Sequence, residues 1–511
     1  MKRILPLFPL FLSLIVSTSL GGDEVDLQIL SEIRQEVEQN SQIEQILSHL
    51  TDVHGPRLTG SENLLNASRW SMDQLREWGL ENVALEPWGE FGRGWELEKL
   101  SLEMTEPYYT PLIGYAKAWT ESTEGVISGI PVLFNPEEEE DFNEFKGKLK
   151  GKIVLFGDPR DVGLGFEPMA ERYSEEQLEE IRTARVGREG HGDWRRRYRA
   201  QREWRKRVGE FLRKEEVAVV LEPGRGNAGT VFVGSGGSHE KNGELGLPAI
   251  VLSAEHFGLL HRTLSKELEL TLRVELASRV LEDDLQAYNV LGEIPGSDPA
   301  VSDEVVMLGG HLDSWHAGTG ATDNAAGCAV MLEVVRILQA LKLQPRRTIR
   351  IALWTGEEQG LLGSKGYVER HFQTDENGKF TDEHEKFSAY FNLDNGTGKI
   401  RGIYLQGNDS VRPIFGAYIA PLADLGVTTL TVRDTGGTDH LPFDAVNLPA
   451  FQFIQDPVSY DTRTHHSNMD VYEHASLSDL KQASIVIATF VYTTAMRDEK
   501  LPRKVRAVDS D

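Results

Sequence analysis

Cysteine is all but missing from this 511-residue chain. Cys328 is its only thiol, so no intramolecular disulfide can form and no lipid-anchoring cysteine follows the N-terminus. It stands in Ala325-Ala326-Gly327-Cys328-Ala329-Val330-Met331, the start of an expected helix, where the role to expect is a small buried hydrophobe rather than a nucleophile. Positive charge is scarce as well. Against 80 Asp and Glu there are 54 Lys and Arg, a net charge of -26, which argues against nucleic acid or an anionic membrane as partner. Past the N-terminus no apolar run approaches the ~20 residues needed to cross a bilayer. There is neither an internal repeat nor a low-complexity tract. What is left, at 40% hydrophobic and 26% charged, is ordinary globular material with length for two or three domains.

Met1 to Gly22 reads as two basic residues, a mostly apolar stretch from Ile4 to Val16, and the small-residue exit Ser17-Thr18-Ser19-Leu20-Gly21-Gly22. These are the parts of a secretory signal. The expectation is removal of residues 1–21, export to the periplasm or beyond, and no membrane span afterwards; an N-terminal anchor is the alternative. An exported chain without disulfides must rely on its core and on any bound metal.

Glu24 to Leu50 spaces Leu27, Leu30, Ile33, Val37, Ile43, Ile46, Leu47 and Leu50 as a helix does, and Ala67 to Trp78 reads as a second helix. Between them lies the turn-rich loop His54-Gly55-Pro56-Arg57-Leu58-Thr59-Gly60-Ser61. From about 121 to 280, short strands such as Lys152–Phe156 and Val217–Leu221 alternate with Gly- and Pro-bearing turns, as in a separate inserted module. Inside it, Arg182 to Lys214 interleaves basic residues with Trp194, Tyr198, Val208, Phe211 and Leu212. Acids interrupt the run, so a salt-bridged amphipathic helix pair is expected rather than a nucleic-acid surface. From about 281 strands and helices alternate, which implies an α/β domain with a largely parallel sheet covered on both faces.

Five islands in that last region carry chemistry. His311, Glu357 and Asp394 follow the strand-like runs Val305–Leu308, Ile349–Trp354 and Ala389–Leu393, and ligands gather at the carboxyl ends of strands in open α/β sheets. In Gly310-His311-Leu312-Asp313, the acid two residues on could take the imidazole N–H, as the partner of a metal-bound histidine does, or the two could be a plain structural pair. Asp323 opens a helix after a glycine-rich loop; it could cap that helix or bridge two cations. Glu357-Glu358 could be a solvated helix turn, or one acid could bind metal while its neighbour serves as general base. His465-His466-Ser467-Asn468-Met469-Asp470 is a polar loop ahead of a helix expected from Leu477.

Together, Gly-His-Leu-Asp-Ser at 310–314, Gly-Ala-Thr-Asp-Asn-Ala-Ala-Gly at 320–327, Gly-Glu-Glu-Gln-Gly at 356–360, Asn-Leu-Asp-Asn at 392–395, Gly-Gly-Thr-Asp-His at 436–440 and His-His-Ser-Asn-Met-Asp at 465–470 resemble the signature blocks of the co-catalytic zinc exopeptidases. That family includes bacterial leucyl aminopeptidases and carboxypeptidase Q. The resemblance implies a three-layer α/β/α peptidase domain with a mixed, mostly parallel sheet, its first part in residues 22–120 and its main part in 281–511, interrupted by a β-rich protease-associated-like domain. It implies two zinc ions per chain: Asp323 bridging, His311 and Asp394 on one ion, Glu358 and His466 on the other. Glu357 is then the general base and Asp313 its catalytic companion behind His311, with His440 and Tyr460 as candidates for oxyanion or substrate contact. His466 is preferred to His465 because it directly precedes Ser467. The implied substrate is a peptide and the implied assembly extends to a homodimer. Aminopeptidase activity is the first expectation, carboxypeptidase or dipeptidase activity of the carboxypeptidase Q kind the second. A metal-free receptor-like protein and a one-zinc glutaminyl cyclase are rivals that the intact ligand set disfavours.

Overall fold

The computed structural model of the chain describes residues 24–184, 191–373 and 379–504, the side chains of 191–199 excepted. The expected signal peptide, Trp194 and Tyr198 lie outside the described residues.

Eight strands form the main sheet in the order Glu81–Glu90, Gln286–Ile294, Thr348–Trp354, Val305–His311, Phe387–Asn392, Ala450–Gln455, Ile400–Tyr404, Thr429–Thr431. The four central strands run parallel, while Gln286–Ile294 pairs antiparallel with Thr348–Trp354 and Ile400–Tyr404 antiparallel with Ala450–Gln455. Buried on both faces, these central strands read as continuous apolar runs, and the two-residue period of a strand sends alternate side chains to opposite layers. Val306, Leu308, Ile349, Ile351, Leu353, Ala389 and Phe391 pack on one side beneath the helices Ala326–Ala340 and Leu477–Met496. Met307, Ala352, Trp354, Phe387 and Tyr390 pack on the other against Tyr367, Val368 and Phe372 of the helix Leu362–Phe372 and Phe443 of His440–Ala445. This is the expected three-layer domain. The first helical stretch breaks at Ser41 into Leu27–Asn40 and Ile43–Ser48, and the second is the helix Glu62–Glu77.

A long ribbon of Gly94–Glu106 against Thr271–Leu281 leads out to a second sheet ordered Gly114–Ala116, Ala249–Leu252, Val219–Pro223, Ile153–Phe156, Val132–Phe134. This module takes in residues ahead of 121, and all its neighbouring strands except the Gly114–Ala116 edge pair in parallel. The Arg-rich stretch forms the helices Glu175–Thr183 and His191–Lys214. Val208, Phe211 and Leu212 pack against Phe134 and Phe142, and Arg207 and Arg213 pair with Glu139 and Glu121. Arg207 and Arg213 are thus engaged with acids of the module. Among the described residues no helix is long and apolar enough to cross a membrane.

Candidate metal centre

The five islands meet at the carboxyl ends of the central strands. His311 is the last residue of its strand, Glu357 and Glu358 follow Thr348–Trp354 after a turn at Gly356 (φ +73°), and Asp394 lies just past Phe387–Asn392. Asp323 sits in a kinked turn, Ala321–Ala325, with non-helical φ and ψ of −134° and 84°, so its carboxylate faces the strand ends rather than capping the helix that follows. The turn enters through Gly320 in the left-handed region (φ +62°), where a Cβ would lie 2.3 Å from that of Ser314. Only glycine fits there.

Asp323 is the hub. Its Oδ1 is 3.2 Å from Nε2 of His311 and its Oδ2 is 3.2 Å from Nε2 of His466. The same His311 nitrogen is 3.2 Å from Asp394 Oδ1, and the same His466 nitrogen 2.8 Å from Glu358 Oε2. Two donor triads have all their ligand atoms within 4.8 Å of one another: His311 with Asp323 and Glu358, and Asp323 with His465 and His466. His465 lies beside the centre, with Nε2 3.8 Å from Asp323 Oδ2 and its ring stacked 4.7 Å from that of Tyr460. His466 keeps the shorter distances.

Charge is badly unbalanced here. Asp313, Asp323, Glu357, Asp394, Asp439 and Asp470 are all buried, as is the side chain of Glu358. Burial, together with the carboxylates of Asp394, Asp439 and Glu358, pushes Glu357 well above the usual carboxylate range in spite of His311. Burial raises Glu358 to about 7, Asp439 to about 7 and Asp470 to about 8. Burial opposes the charged form of His466, but Glu358 and Asp323 outweigh it and lift the imidazole to about 11. His311 is raised for the same reason by Asp394 and Glu357. Asp323 is held well below its ordinary value, against burial, by the two histidines. In effect the imidazoles are acting as the missing cations. Asp323 Oδ2 and Glu358 Oε1 are nonetheless buried without a hydrogen-bond partner, a costly state for a carboxylate oxygen. A nitrogen and carboxylate donor set with orphaned oxygens fits divalent zinc.

One expectation needs correcting. The group nearest the imidazole N–H of His311 is not the Asp313 carboxylate but its main-chain oxygen, 3.0 Å from Nδ1, with the carboxylate standing off at 3.6 Å. That carboxylate is engaged elsewhere. It accepts from the Thr59 hydroxyl at 2.9 Å and from the backbone N–H groups of Glu357 and Glu358 at 3.3 Å each, so Asp313 fixes the turn carrying the acid pair.

His440 and Tyr460 are less directly placed. His440 is buried, lowered to about 4 by desolvation, and its Nε2 lies 3.3 Å from the Thr435 carbonyl. The Tyr460 ring packs over Gly396, and burial with Asp323, Asp394 and Glu358 nearby drives its hydroxyl pKa far up.

Three groups carry weight that their residue types did not announce. Arg57, fully buried, donates from Nε to the Leu312 carbonyl at 2.7 Å, from Nη1 to Thr319 at 2.7 Å and from Nη2 to Gly320 at 2.8 Å. It ties the residue after His311 to the loop before Asp323. The Asp470 carboxylate accepts from the N–H groups of Thr322 (2.5 Å) and Asp323 (3.2 Å), setting the bridging residue from below. Asp439 accepts from the Ser364 hydroxyl and leaves Oδ2 unpartnered. The adjacent His440 had drawn attention to that block, but an acid beside a histidine gives no sign of which one turns inward.

Residues 289–491 match the profile of Peptidase family M28. The chain is 27% identical to carboxypeptidase Q of Mus musculus over 463 residues, covering 89% of this chain and 86% of that one. It is 27% identical to aminopeptidase YwaD of Bacillus subtilis (strain 168) over 269 residues, covering 52% and 54%. Among solved structures, a Peptidase M28 precursor from Shewanella amazonensis SB2B superimposes with a TM-score of 0.66 at 25% identity, covering 94% of this chain and 99% of that one. BSAP, a zinc aminopeptidase from Bacillus subtilis, shares the fold with a TM-score of 0.54 at 19% identity, covering 89% and 95%.

Proposed function

We propose, from the match of residues 289–491 to Peptidase family M28, that the chain is an exported two-zinc exopeptidase of that family acting on short peptides. The observation that carries this reading is the shared carboxylate of Asp323, with one oxygen turned to His311 and the other to His466 at equal distance. His311 and Asp394 would hold one ion, Glu358 and His466 the other. When bound, the ions would supply Lewis acidity toward the scissile carbonyl and lower the pKa of the attacking water.

The rest falls to the chain's own groups. Glu357 adjoins the ligand Glu358 in sequence, and its carboxylate would face the attacking water as general base. It would take the water's proton and deliver it to the departing amine. Asp313 holds the Glu357-Glu358 backbone, and His465, His440 and Tyr460 line the surroundings in which substrate must sit. The second module would serve as the protease-associated-like domain.

The terminus that is cut follows from pocket walls rather than from the ligands. Similarity to carboxypeptidase Q runs along nearly the whole chain, module included, whereas that to YwaD spans about half. This moves carboxypeptidase or dipeptidase cleavage ahead of the aminopeptidase activity that the motifs alone put first. Aminopeptidase activity is the second reading, supported by the YwaD match.

Dipeptides and tripeptides, free or blocked at either end, test both. Loss of cleavage on C-terminal but not N-terminal blocking is expected of a carboxypeptidase, loss with either block of a dipeptidase. Cleavage that survives C-terminal blocking and not N-terminal blocking would overturn the first reading in favour of the second.

A further inference from the structure

His466 occupies a backbone conformation that residues with a side chain seldom adopt, with φ at +62°. Left-handed backbone is costly for a residue with a Cβ. It persists where neighbours over-determine it. Here the neighbours come from the second module. The Val233 N–H donates to the His466 carbonyl at 3.0 Å, and the Asn468 N–H to the Val231 carbonyl at 3.1 Å. The Asn468 side chain closes the bracket, its Oδ1 accepting from the Val231 N–H at 2.7 Å and its Nδ2 donating to the Gly229 carbonyl at 3.3 Å. Phe232 thereby lies opposite Ser467 as an antiparallel bridge. Val231 and Val233 are anchored in turn by Val251 of the module's strand Ala249–Leu252, with Ala317 of the peptidase domain packed alongside.

The other end of the same loop is held likewise. Glu171 and Val458 exchange both backbone hydrogen bonds at 2.9 Å, and the Thr462 hydroxyl donates to the Met169 carbonyl. Arg172 reaches Asp456 at 3.0 Å and Asp479 at 2.7 Å. Residues 456–468, which carry His466, are therefore gripped at both ends by module segments. The backbone around His311, Asp323 and Asp394 is instead held by Arg57, Asp470 and Asn324, all outside the module.

We propose that the second module is a positioning element for one metal ion of the pair: its segment 229–233, through Asn468, sets the backbone that aims His466 at the ion shared with Glu358. The ion held by His311 and Asp394 is independent of it. This rests on the two-zinc reading above. It also means that displacing the module empties one subsite while the other stays charged, which couples module position to activity. Asn468 is a positioning residue, not a ligand.

The test is zinc titration of the full chain against a competing chelator, read as two dissociation constants, on wild type, Asn468→Ala and His466→Ala. Losing such a supporting contact typically weakens a metal site by about 10- to 100-fold. In Asn468→Ala that loss is expected in one step only, the step abolished in His466→Ala, with the other constant unchanged. Thr462→Val, an exposed change at the far end of the loop, keeps the question open to measurement should Asn468→Ala fold poorly, and is expected to weaken the same step less. Two wild-type steps that stay unchanged in Asn468→Ala and Thr462→Val, or that weaken equally, overturn the positioning role alone. A wild type that binds a single ion overturns the two-zinc reading itself.

Discussion

The two ends of the central strands treat charge in opposite ways. Where Val305–His311 and Thr348–Trp354 begin, Arg346, Arg347 and Lys386 each face an acid. Arg347 Nε is 2.6 Å from Glu304, Arg346 Nε is 2.9 Å from Asp298 with Nη1 2.7 Å from Asp498, and Lys386 is 3.0 Å from Asp303. Where the strands end, seven carboxylates crowd together, and Arg57 gives its N–H groups to carbonyls rather than to acids. Removing charge from water is tolerable when a partner is supplied and costs several kcal/mol when it is not. One rim is built to hold the fold together. The other is left short of cations, and that shortage is what makes it able to take up metal.

The largest effect should come from separating chemistry from binding within the deficient rim. Glu357→Gln keeps the size of the side chain and the backbone N–H that donates to Asp313, but removes the carboxylate proposed as base. Turnover is expected to fall by about 10³- to 10⁴-fold, while zinc content by metal analysis stays at the wild-type value. A variant with near-normal turnover would take the base role from Glu357. A variant that lost zinc would make it a ligand and erase the division of labour between the paired acids.

Arg57 tests whether the deficient rim needs its one guanidinium for charge or for shape. Its three nitrogens reach five main-chain oxygens, Leu50 and Gly55 among them at 3.0 Å, in the fixed fork that a lysine cannot reproduce. Arg57→Lys keeps the charge and loses the fork. We expect zinc affinity to fall by about tenfold or more, in the range seen when groups behind a metal ligand are removed, together with a lower Tm. Zinc affinity equal to wild type would show that the charge alone suffices.

Much of the peptidase domain was legible because its central strands are buried on both faces and end in the residues that matter. Apolar runs announce such strands, and a polar residue at the end of one is conspicuous, as His311, Glu357 and Asp394 were. Arg57 and Asp439 were not legible for the converse reason. A residue whose work is to hold backbone oxygens, or to turn inward beside a more noticeable histidine, leaves no periodic trace. The misplaced partner of His311 has the same origin. Spacing puts the Asp313 carboxylate within reach of the imidazole, but its Oδ1 stands off at 3.6 Å and accepts from the Glu357 N–H, while Oδ2 accepts from Thr59, far away in sequence.

The balanced rim supplies the control, and the smallest effect on function. Arg347 is buried, bonded through Nε to Glu304 and through Nη1 and Nη2 to the carbonyls of Arg497 and Asp498, which fastens the segment after the helix Leu477–Met496 to the start of the strand Thr348–Trp354. Arg347→Met removes the cation and leaves Glu304 facing Lys500 at 3.5 Å. Breaking one side of a buried pair costs about 3–5 kcal/mol; the partly exposed Glu304 and its remaining lysine should hold the loss near the lower figure. Denaturant unfolding should therefore show a stability loss of about 3 kcal/mol, with zinc stoichiometry and turnover at low temperature unchanged. If Arg347→Met instead released zinc as Arg57→Lys is expected to, the two rims would be mechanically coupled through the strands between them, and the contrast drawn from their charges would no longer separate stability from function.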